Sequence, residues 1–244
     1  MLQGGSGTPV LLLHGAGGSR SLLPLAESLA LDHEVLVPDH PAFGETDECA
    51  WITGMSDLAY FYLDVLDALD LREAHVIGHS MGGWLACEIA VRSTHRIKSL
   101  TLIASVGIYL KGAPFGDLFL WNPEELTRNL FATEAALATA LAYQPTEREV
   151  EIMVKNRVGA ARYGWSPRLH NPDLAKWLHR IDVPSLILWG ADDKIVPVAY
   201  AQEFQRLIPN AQATVFQKCG HIPQIDQSKA CALRLTRFLG GLPA

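Results

Sequence analysis

The chain has 244 residues, of which 49% are hydrophobic, and its formal net charge is −6. This length is sufficient for one large core, and the lack of a basic cluster argues against binding to nucleic acid or to an anionic membrane surface. The apolar runs are far shorter than the ~20 residues that span a bilayer, and the first residues lack the pattern of a secretory signal. We therefore expect a soluble, cytoplasmic protein.

The sequence predicts neither a metal site nor a cofactor site. Cys49, Cys87, Cys219 and Cys231 are widely spaced and form no C-x-x-C pair, so neither a zinc site nor a disulfide framework is indicated. The histidines show no H-E-x-x-H spacing, and the glycine-rich segment near the start lacks the lysine of a nucleotide-binding loop. We expect no metal and no cofactor.

Short apolar runs alternate with amphipathic segments over most of the chain. The runs have the Val, Ile and Leu content of buried parallel strands and lie at 10–13, 34–37, 74–77, 100–104, 186–189 and 213–216. Apolar residues recur at helical spacing at 22–31, 55–69, 83–92, 198–207 and 229–239. This alternation predicts an α/β fold with a mostly parallel sheet of about six strands flanked by helices.

The alternation stops after residue 106 and resumes near residue 184. Four amphipathic helices are predicted between these points, at 122–130, 134–143, 147–163 and 173–181. The same segment contains Trp121, Trp165 and Trp177, which suit the wall of an apolar pocket, although ordinary packing explains most of its aromatic residues. We expect a core domain formed by 1–106 and 184–244, with a helical lid inserted at 107–183.

A candidate nucleophile lies between the third predicted strand and the helix that follows it. Gly78-His79-Ser80-Met81-Gly82 matches the pattern G-x-S-x-G at that junction. A sharp strand-to-helix turn needs glycine two residues to either side of the serine, because the two backbones approach too closely there for a β-carbon. The context therefore predicts Ser80 as a nucleophile.

A serine hydroxyl needs a neighbouring base, and that base needs an orienting acid. Strand 186–189 leads into Asp192 and Asp193, and strand 213–216 is followed by His221. The chain order Ser, Asp, His fits a nucleophile supplied by a strand–helix turn. We predict His221 as the general base and Asp193 as the acid that orients it, with Asp192 as the competing carboxylate.

The loop after the first predicted strand, His14-Gly15-Ala16-Gly17-Gly18, can direct backbone N–H groups at a developing oxyanion. We predict the N–H groups of Ala16 and Met81 as the donors, the latter strengthened by the helix N-terminus. We expect His79 and His14 to be packed, hydrogen-bonded side chains and read the other histidines, including His40, as surface or structural groups.

These segments together resemble the α/β-hydrolase superfamily. The resemblance rests on His14-Gly15, 38–44, 78–83, 190–193 and Gly220-His221 and covers almost the whole chain. Within 190–193, the Gly-x-x-Asp spacing of the family ends at Asp193 rather than at its neighbour. In 38–44, Ala42 stands where the family usually has glycine, and the family's opening antiparallel hairpin is not evident before Val10. The resemblance therefore implies a shortened sheet.

The C-terminal part resembles lidded carboxylesterases and the hydrolases of meta-cleavage products, which break carbon–carbon bonds. The carbon–carbon members usually have asparagine before the nucleophile and tryptophan after the catalytic histidine, whereas this chain has His79 and Ile222. These departures favour a carboxylesterase that cleaves small to medium apolar esters through an acyl-enzyme on Ser80. Carbon–carbon hydrolysis of dienones and a hydrolase-like small-molecule receptor are the alternatives. We expect a small-molecule substrate, no nucleic-acid or membrane partner, and a monomer or homodimer.

Overall fold

The computed structural model of the protein describes residues 1–242. Its strands form one sheet in the order β1-β3-β2-β4-β5-β6-β7. They are β1 (Leu2–Gly4), β2 (Pro9–Leu13), β3 (Glu34–Val37), β4 (Ala74–His79), β5 (Ile97–Ile103), β6 (Ser185–Gly190) and β7 (Ala211–Phe216). Every neighbouring pair is parallel except β1 with β3. The predicted α/β fold is confirmed, and every predicted strand is present.

The expected strand count is wrong by one, because a strand precedes Val10. β1 pairs antiparallel with β3 in the register Leu2↔Val37 and Gly4↔Val35. All three of its residues are exposed, so its side chains give no buried pattern and only its backbone pairing defines it. The sheet is therefore extended at this edge by an antiparallel strand, and β1 makes no hairpin with β2.

Helices cover both faces of the sheet. They are α1 (Leu23–Leu29), α2 (Met55–Ala68), α3 (Met81–Arg92), α4 (Pro123–Leu130), α5 (Glu134–Ala142), α6 (Glu147–Gly164), α7 (Ala199–Leu207), α8 (Pro223–Asp226) and α9 (Ser228–Gly240). β2 illustrates the two cores, because Val10 and Leu12 pack with α1 and α9, whereas Leu11 and Leu13 pack with α2, α3 and α7. The alternation follows from the period of two in a strand.

The segment between β5 and β6 contains α4, α5 and α6. The side chains of Asn122 and Thr146 each cap a helix in a reciprocal capping box, which stabilises the starts of α4 and α6. α4 and α5 bury no residue, whereas one face of α6 is buried. Of these three helices, α6 is therefore the one that packs against the rest of the protein. The division into a core and a lid at 107–183 stays a prediction.

One predicted helix is absent, and one residue has an unusual backbone conformation. The helix predicted at 173–181 is instead a pair of 3₁₀ turns, Leu174–Lys176 and Leu178–Arg180, because apolar residues spaced three and four apart suit either kind of turn. Ala42 adopts a positive φ of 71°, the backbone conformation for which the family usually uses glycine.

None of the described helices is long and apolar enough to cross a membrane.

Candidate active site

Ser80 lies at a strained turn between β4 and α3. Its backbone has φ 55° and ψ −114°, a conformation that costs free energy and needs support from the surrounding packing. A β-carbon on Gly82 would lie 1.9 Å from the carbonyl oxygen of Leu13, and one on Gly78 would lie 2.2 Å from the carbonyl oxygen of Gly82. Both glycines are therefore required by close backbone approach, as the motif predicts.

The structure brings together the three side chains that the sequence singled out. His221 Nε2 lies 3.0 Å from Ser80 Oγ, and His221 Nδ1 lies 2.9 Å from Asp193 Oδ2. All three residues are buried. This is the geometry in which the histidine can accept the serine proton while the carboxylate holds the other ring nitrogen.

Asp193 is oriented by the backbone of its own loop. Its Oδ1 accepts hydrogen bonds from the N–H groups of Ile195 and Val196, each at 2.8 Å. This leaves Oδ2 for His221. The competing carboxylate, Asp192, is exposed to solvent, so the structure places Asp193 rather than its neighbour beside the histidine.

The two predicted oxyanion donors are N–H groups with no partner among residues 1–242. Met81 opens α3, where the first N–H groups of a helix have no intrahelical acceptor. Ala16 lines the same cavity as Ser80. The carbonyl of Gly15 accepts from His14 Nδ1 at 2.7 Å and from Gly18 N at 3.1 Å. Because the peptide unit is planar and trans, fixing this carbonyl also fixes the opposite direction of the Ala16 N–H.

His14 and His40 form a stacked pair behind this loop, with ring centroids 3.8 Å apart. The His40 N–H donates to His14 Nε2 at 3.1 Å, and His40 Nε2 donates to the His14 carbonyl at 3.1 Å. The hydroxyl of Tyr62 donates to His40 Nδ1 at 2.6 Å. Burial lowers the pKa of His14 to about 4 and that of His40 well below its ordinary value, so both rings are neutral and each tautomer is fixed by its partners.

Sequence reasoning missed this pair by treating His40 as an isolated group. Their positions in the sequence could have indicated that they lie close together. His14 and His40 each follow a predicted strand, and parallel strands end at the same edge of a sheet. Their pairing nevertheless depended on β2 and β3 being neighbours, which the tertiary structure supplies.

His79 supports the loop that carries His221. Its Nε2 donates to the carbonyl oxygen of His221 at 3.0 Å, while its Nδ1 is buried and has no hydrogen-bond partner among residues 1–242. Burial, with the nearby His221 as a further cause, lowers the pKa of His79 to about 3. The ring is therefore neutral, and it also lines the cavity at Ser80.

Asp226 holds the same loop from the other side. Its carboxylate accepts from the N–H of Gly220 at 2.7 Å and from the hydroxyl of Thr133 at 2.7 Å. The His221 N–H donates to the carbonyl of Leu130 at 2.8 Å. The loop that carries the histidine is therefore bonded directly to the end of α4 and, through Asp226, to the α4–α5 connection.

A cavity of about 510 Å³ contains Ser80 and His221 in its wall. Most of its surface is aliphatic, contributed by Leu118, Leu126, Leu130, Val150, Val154, Ile195 and Ile222. Trp121, Trp165 and Trp177 are not part of this wall. Trp165 instead stacks on the guanidinium of Arg168, 4.4 Å from its ring centroid. These three tryptophans therefore do not wall this cavity, and aliphatic residues of α4 and α6 line it instead.

Arg157 introduces a charge into this apolar wall. Its Nη2 donates to the carbonyl oxygens of Leu118, Phe119 and Trp121 at 3.3, 2.9 and 2.8 Å. Among residues 1–242, no carboxylate forms an ion pair with it, and its Nε and Nη1 donate to no other group of that part of the chain. The carbonyls hold the guanidinium in place without neutralising it, so an anionic group of a ligand can pair with it.

Within residues 1–242, no cluster of three or more His, Cys, Asp or Glu side chains is arranged to hold a metal ion. The site itself contains a buried serine, histidine and carboxylate beside a mostly aliphatic cavity whose wall includes one arginine.

The fold agrees with comparisons to known proteins. The family model described as alpha/beta hydrolase fold matches residues 8–228, and the chain belongs to this family. It is 29% identical to a 2-hydroxy-6-oxo-2,4-heptadienoate hydrolase of Pseudomonas putida, over 96% of this chain and 90% of that protein.

Solved structures of other proteins have a similar fold. A meta-cleavage product hydrolase from Pseudomonas fluorescens superposes with a TM-score of 0.80 at 22% identity, covering 98% of this chain and 93% of that one. A putative lipase from Acinetobacter baumannii has a TM-score of 0.77 at 28% identity, covering 97% and 85%. The family supports a hydrolase, and its members differ in the bond they break.

Proposed function

We propose that the protein is a serine hydrolase that cleaves a carbon–carbon bond in an acidic substrate of the 2-hydroxy-6-oxodienoate type. The observation that carries this proposal is Arg157, which lines the cavity of Ser80 and forms no ion pair with a carboxylate among residues 1–242. The similarity to a hydrolase named for such an acid supports it. The proposal departs from the ester substrate favoured by the sequence, because a neutral apolar ester gives this charge nothing to bind.

The electrostatics of the cavity support an acidic substrate. Arg157 is partly buried, and the carbonyl dipoles at its Nη2 offset part of the hydration that it loses in the apolar wall. A substrate carboxylate would form charge-assisted hydrogen bonds with the remaining donors, each contributing about 1.5–3 kcal/mol. The arginine would also fix the orientation of the substrate relative to Ser80.

The proposed reaction follows from the triad geometry. Ser80 Oγ adds to the C6 carbonyl of the keto form of the substrate while His221 accepts its proton, and the N–H groups of Ala16 and Met81 bind the oxyanion. The C5–C6 bond then breaks, and its electron pair is delocalised onto the C2 oxygen. His221 returns the proton to this dienolate, and water hydrolyses the acyl-serine in a second half-reaction. Asp193 keeps His221 in the productive tautomer throughout.

The test compares two substrate classes in four proteins. The substrates are 2-hydroxy-6-oxo-2,4-heptadienoate and a p-nitrophenyl ester series, and the variants are Ser80→Ala, Arg157→Met and the control Arg148→Met. Arg148 lies on the same helix but pairs at the surface with Glu151. We expect Ser80→Ala to abolish turnover, and Arg157→Met to lower kcat/KM for the dienoate by roughly 10- to 100-fold, as expected for a lost charged hydrogen bond. Arg148→Met should match the wild type.

A carboxylesterase is the second candidate, favoured by the residues beside the triad. His79 and Ile222 line the cavity at the positions where the carbon–carbon members usually have asparagine and tryptophan. Serine-dependent turnover of the esters, with no turnover of the dienoate and no effect of Arg157→Met, would replace the first proposal by this one.

A further inference from the structure

Asn156 of α6 joins two loops of the sheet domain. It is 4% exposed, and both ends of its amide are used. Its Oδ1 accepts from the N–H of Gly44 at 2.8 Å, and its Nδ2 donates to the carbonyl of Gly17 at 3.1 Å. The partners fix which end is oxygen, since an N–H needs an acceptor and a carbonyl needs a donor.

Two peptide planes connect this amide to the predicted oxyanion donor. Asn156 holds the carbonyl of Gly17, which directs the N–H of Gly18 the opposite way. That N–H donates to the carbonyl of Gly15 at 3.1 Å. The Gly15 carbonyl belongs to the same peptide unit as the Ala16 N–H. The side chain of Asn156 therefore restrains the direction of a donor that it does not touch.

The position of Asn156 is dictated by tight packing. A β-carbon on Gly18 would lie 2.4 Å from Asn156 Nδ2, and one on Gly159 would lie 2.8 Å from the carbonyl of Ala42. One turn further along α6, the hydroxyl of Tyr163 donates to the carbonyl of Pro41 at 3.0 Å. This face of α6 therefore lies in close contact with the loops that follow β2 and β3, and the docked helix holds the amide of Asn156 between them.

We propose that Asn156 is a positioning residue of the oxyanion hole, through which the docking of α6 sets the direction of the Ala16 N–H. The role rests on the serine-hydrolase part of the proposed function and is the same for an ester and for a dienoate. Such a residue affects the chemical step, where the oxyanion forms, more than it affects ligand binding.

The test uses a fluorophosphonate, whose phosphoryl oxygen takes up the oxyanion position as Ser80 becomes labelled. We compare the wild type, Asn156→Ala and the control Asn129→Ala, which removes a lid asparagine that bonds only within its own helix. Losing one oxyanion donor outright costs about 100- to 1000-fold in rate, so loosening one should lower the maximal labelling rate of Asn156→Ala by roughly 10- to 100-fold. The half-saturating probe concentration should stay unchanged, and Asn129→Ala should react as the wild type does.

Asn156→Asp supplies a nearly isosteric variant that preserves the fold. An ionised carboxylate accepts from Gly44 but cannot donate to Gly17, whereas the protonated acid can do both. The pKa of an ordinary aspartate is about 3.9, and burial raises it. The labelling rate relative to the wild type should therefore be low at pH 8, where the carboxyl is ionised, and should rise as the pH falls towards that raised pKa.

The outcomes separate the two proposals. A wild type that is not labelled at all refutes the serine-hydrolase function. A labelled wild type with equal maximal rates in Asn156→Ala, or with only weaker probe binding, overturns the positioning role and leaves that function intact. A labelling rate of Asn156→Asp that equals the wild-type rate at pH 8 also overturns it.

Discussion

Replacing Asp193 with asparagine isolates the role of the buried carboxylate. In the structure, Oδ1 accepts the N–H groups of Ile195 and Val196, and Oδ2 faces His221 Nδ1. Only the oxygen of an asparagine amide can accept these two N–H groups, so its NH₂ must face the histidine. That contact makes Nδ1 an acceptor and places the ring proton on Nε2, directed at Ser80. The histidine then cannot accept the serine proton.

The alternative orientation of the amide also fails. Turning its oxygen to His221 would leave the N–H groups of Ile195 and Val196 facing an NH₂, at a cost of about 1–3 kcal/mol for each unsatisfied donor. The same substitution in a serine protease lowers kcat by about 10⁴, which corresponds to about 5.4 kcal/mol. We expect a loss of this order for Asp193→Asn, with no loss of folded structure.

The assay measures phosphonate labelling of Ser80 and substrate turnover, with circular dichroism to verify folding. Asp192→Asn is the matched control, because it changes the exposed neighbouring carboxylate. If Asp193→Asn retained more than about a tenth of the wild-type rate, a loss of under 1.4 kcal/mol in the barrier, the assignment of Asp193 as the orienting acid would be refuted.

Three further predictions concern stability. Gly82→Ala should destabilise the protein by more than about 4 kcal/mol, because the added β-carbon would lie 1.9 Å from a backbone carbonyl oxygen. Gly240 has open space around it, so the control Gly240→Ala should be neutral or stabilising in thermal melts. Equal effects of the two substitutions would contradict this reasoning. Ala42→Gly should raise the unfolding free energy by up to about 1 kcal/mol by relieving the positive φ, and a lower urea midpoint would argue against strain at this position. In the folded protein, the pKa of His14 is about 4 and that of His79 is about 3, below the ordinary value of 6.5. As the pH falls, the unfolded chain therefore binds protons before the folded protein does. At pH values below 6.5, the unfolding free energy should decrease by up to about 1.4 kcal/mol per pH unit for each histidine. Urea titrations at several pH values test this, and His79→Asn should reduce the slope.

The side chains of Ser80, Asp193 and His221 could be predicted from local sequence patterns. Ser80, Asp193 and His221 each follow a strand whose apolar run is visible in the sequence, and their chain order matches a strand–helix nucleophile. Parallel strands end at one edge of a sheet, so these side chains were expected to meet there, and they do meet in the structure. Their catalytic roles stay predictions until the variants are measured.

β1 and the pair of 3₁₀ turns could not be predicted from local sequence patterns. β1 is exposed on all its residues and exists because its backbone pairs with β3, a contact more than thirty residues away in the chain. The turns at Leu174–Lys176 and Leu178–Arg180 use the same apolar spacing as an α-helix. In both cases, the competing conformations have the same pattern of side chains, and only long-range contacts choose between them.

The sequence by itself determined the α/β architecture, the strained turn at Ser80 and the residues that face it, because hydrophobic periodicity and close-packed glycines are local properties of the chain. The tertiary structure alone decided that His14 stacks on His40, that Arg157 faces the cavity and that Asn156 bonds to Gly17. Periodicity tells which face of an element is buried, but it does not tell which other element covers that face. The proposed substrate and the proposed support of the oxyanion loop both rest on those long-range pairings.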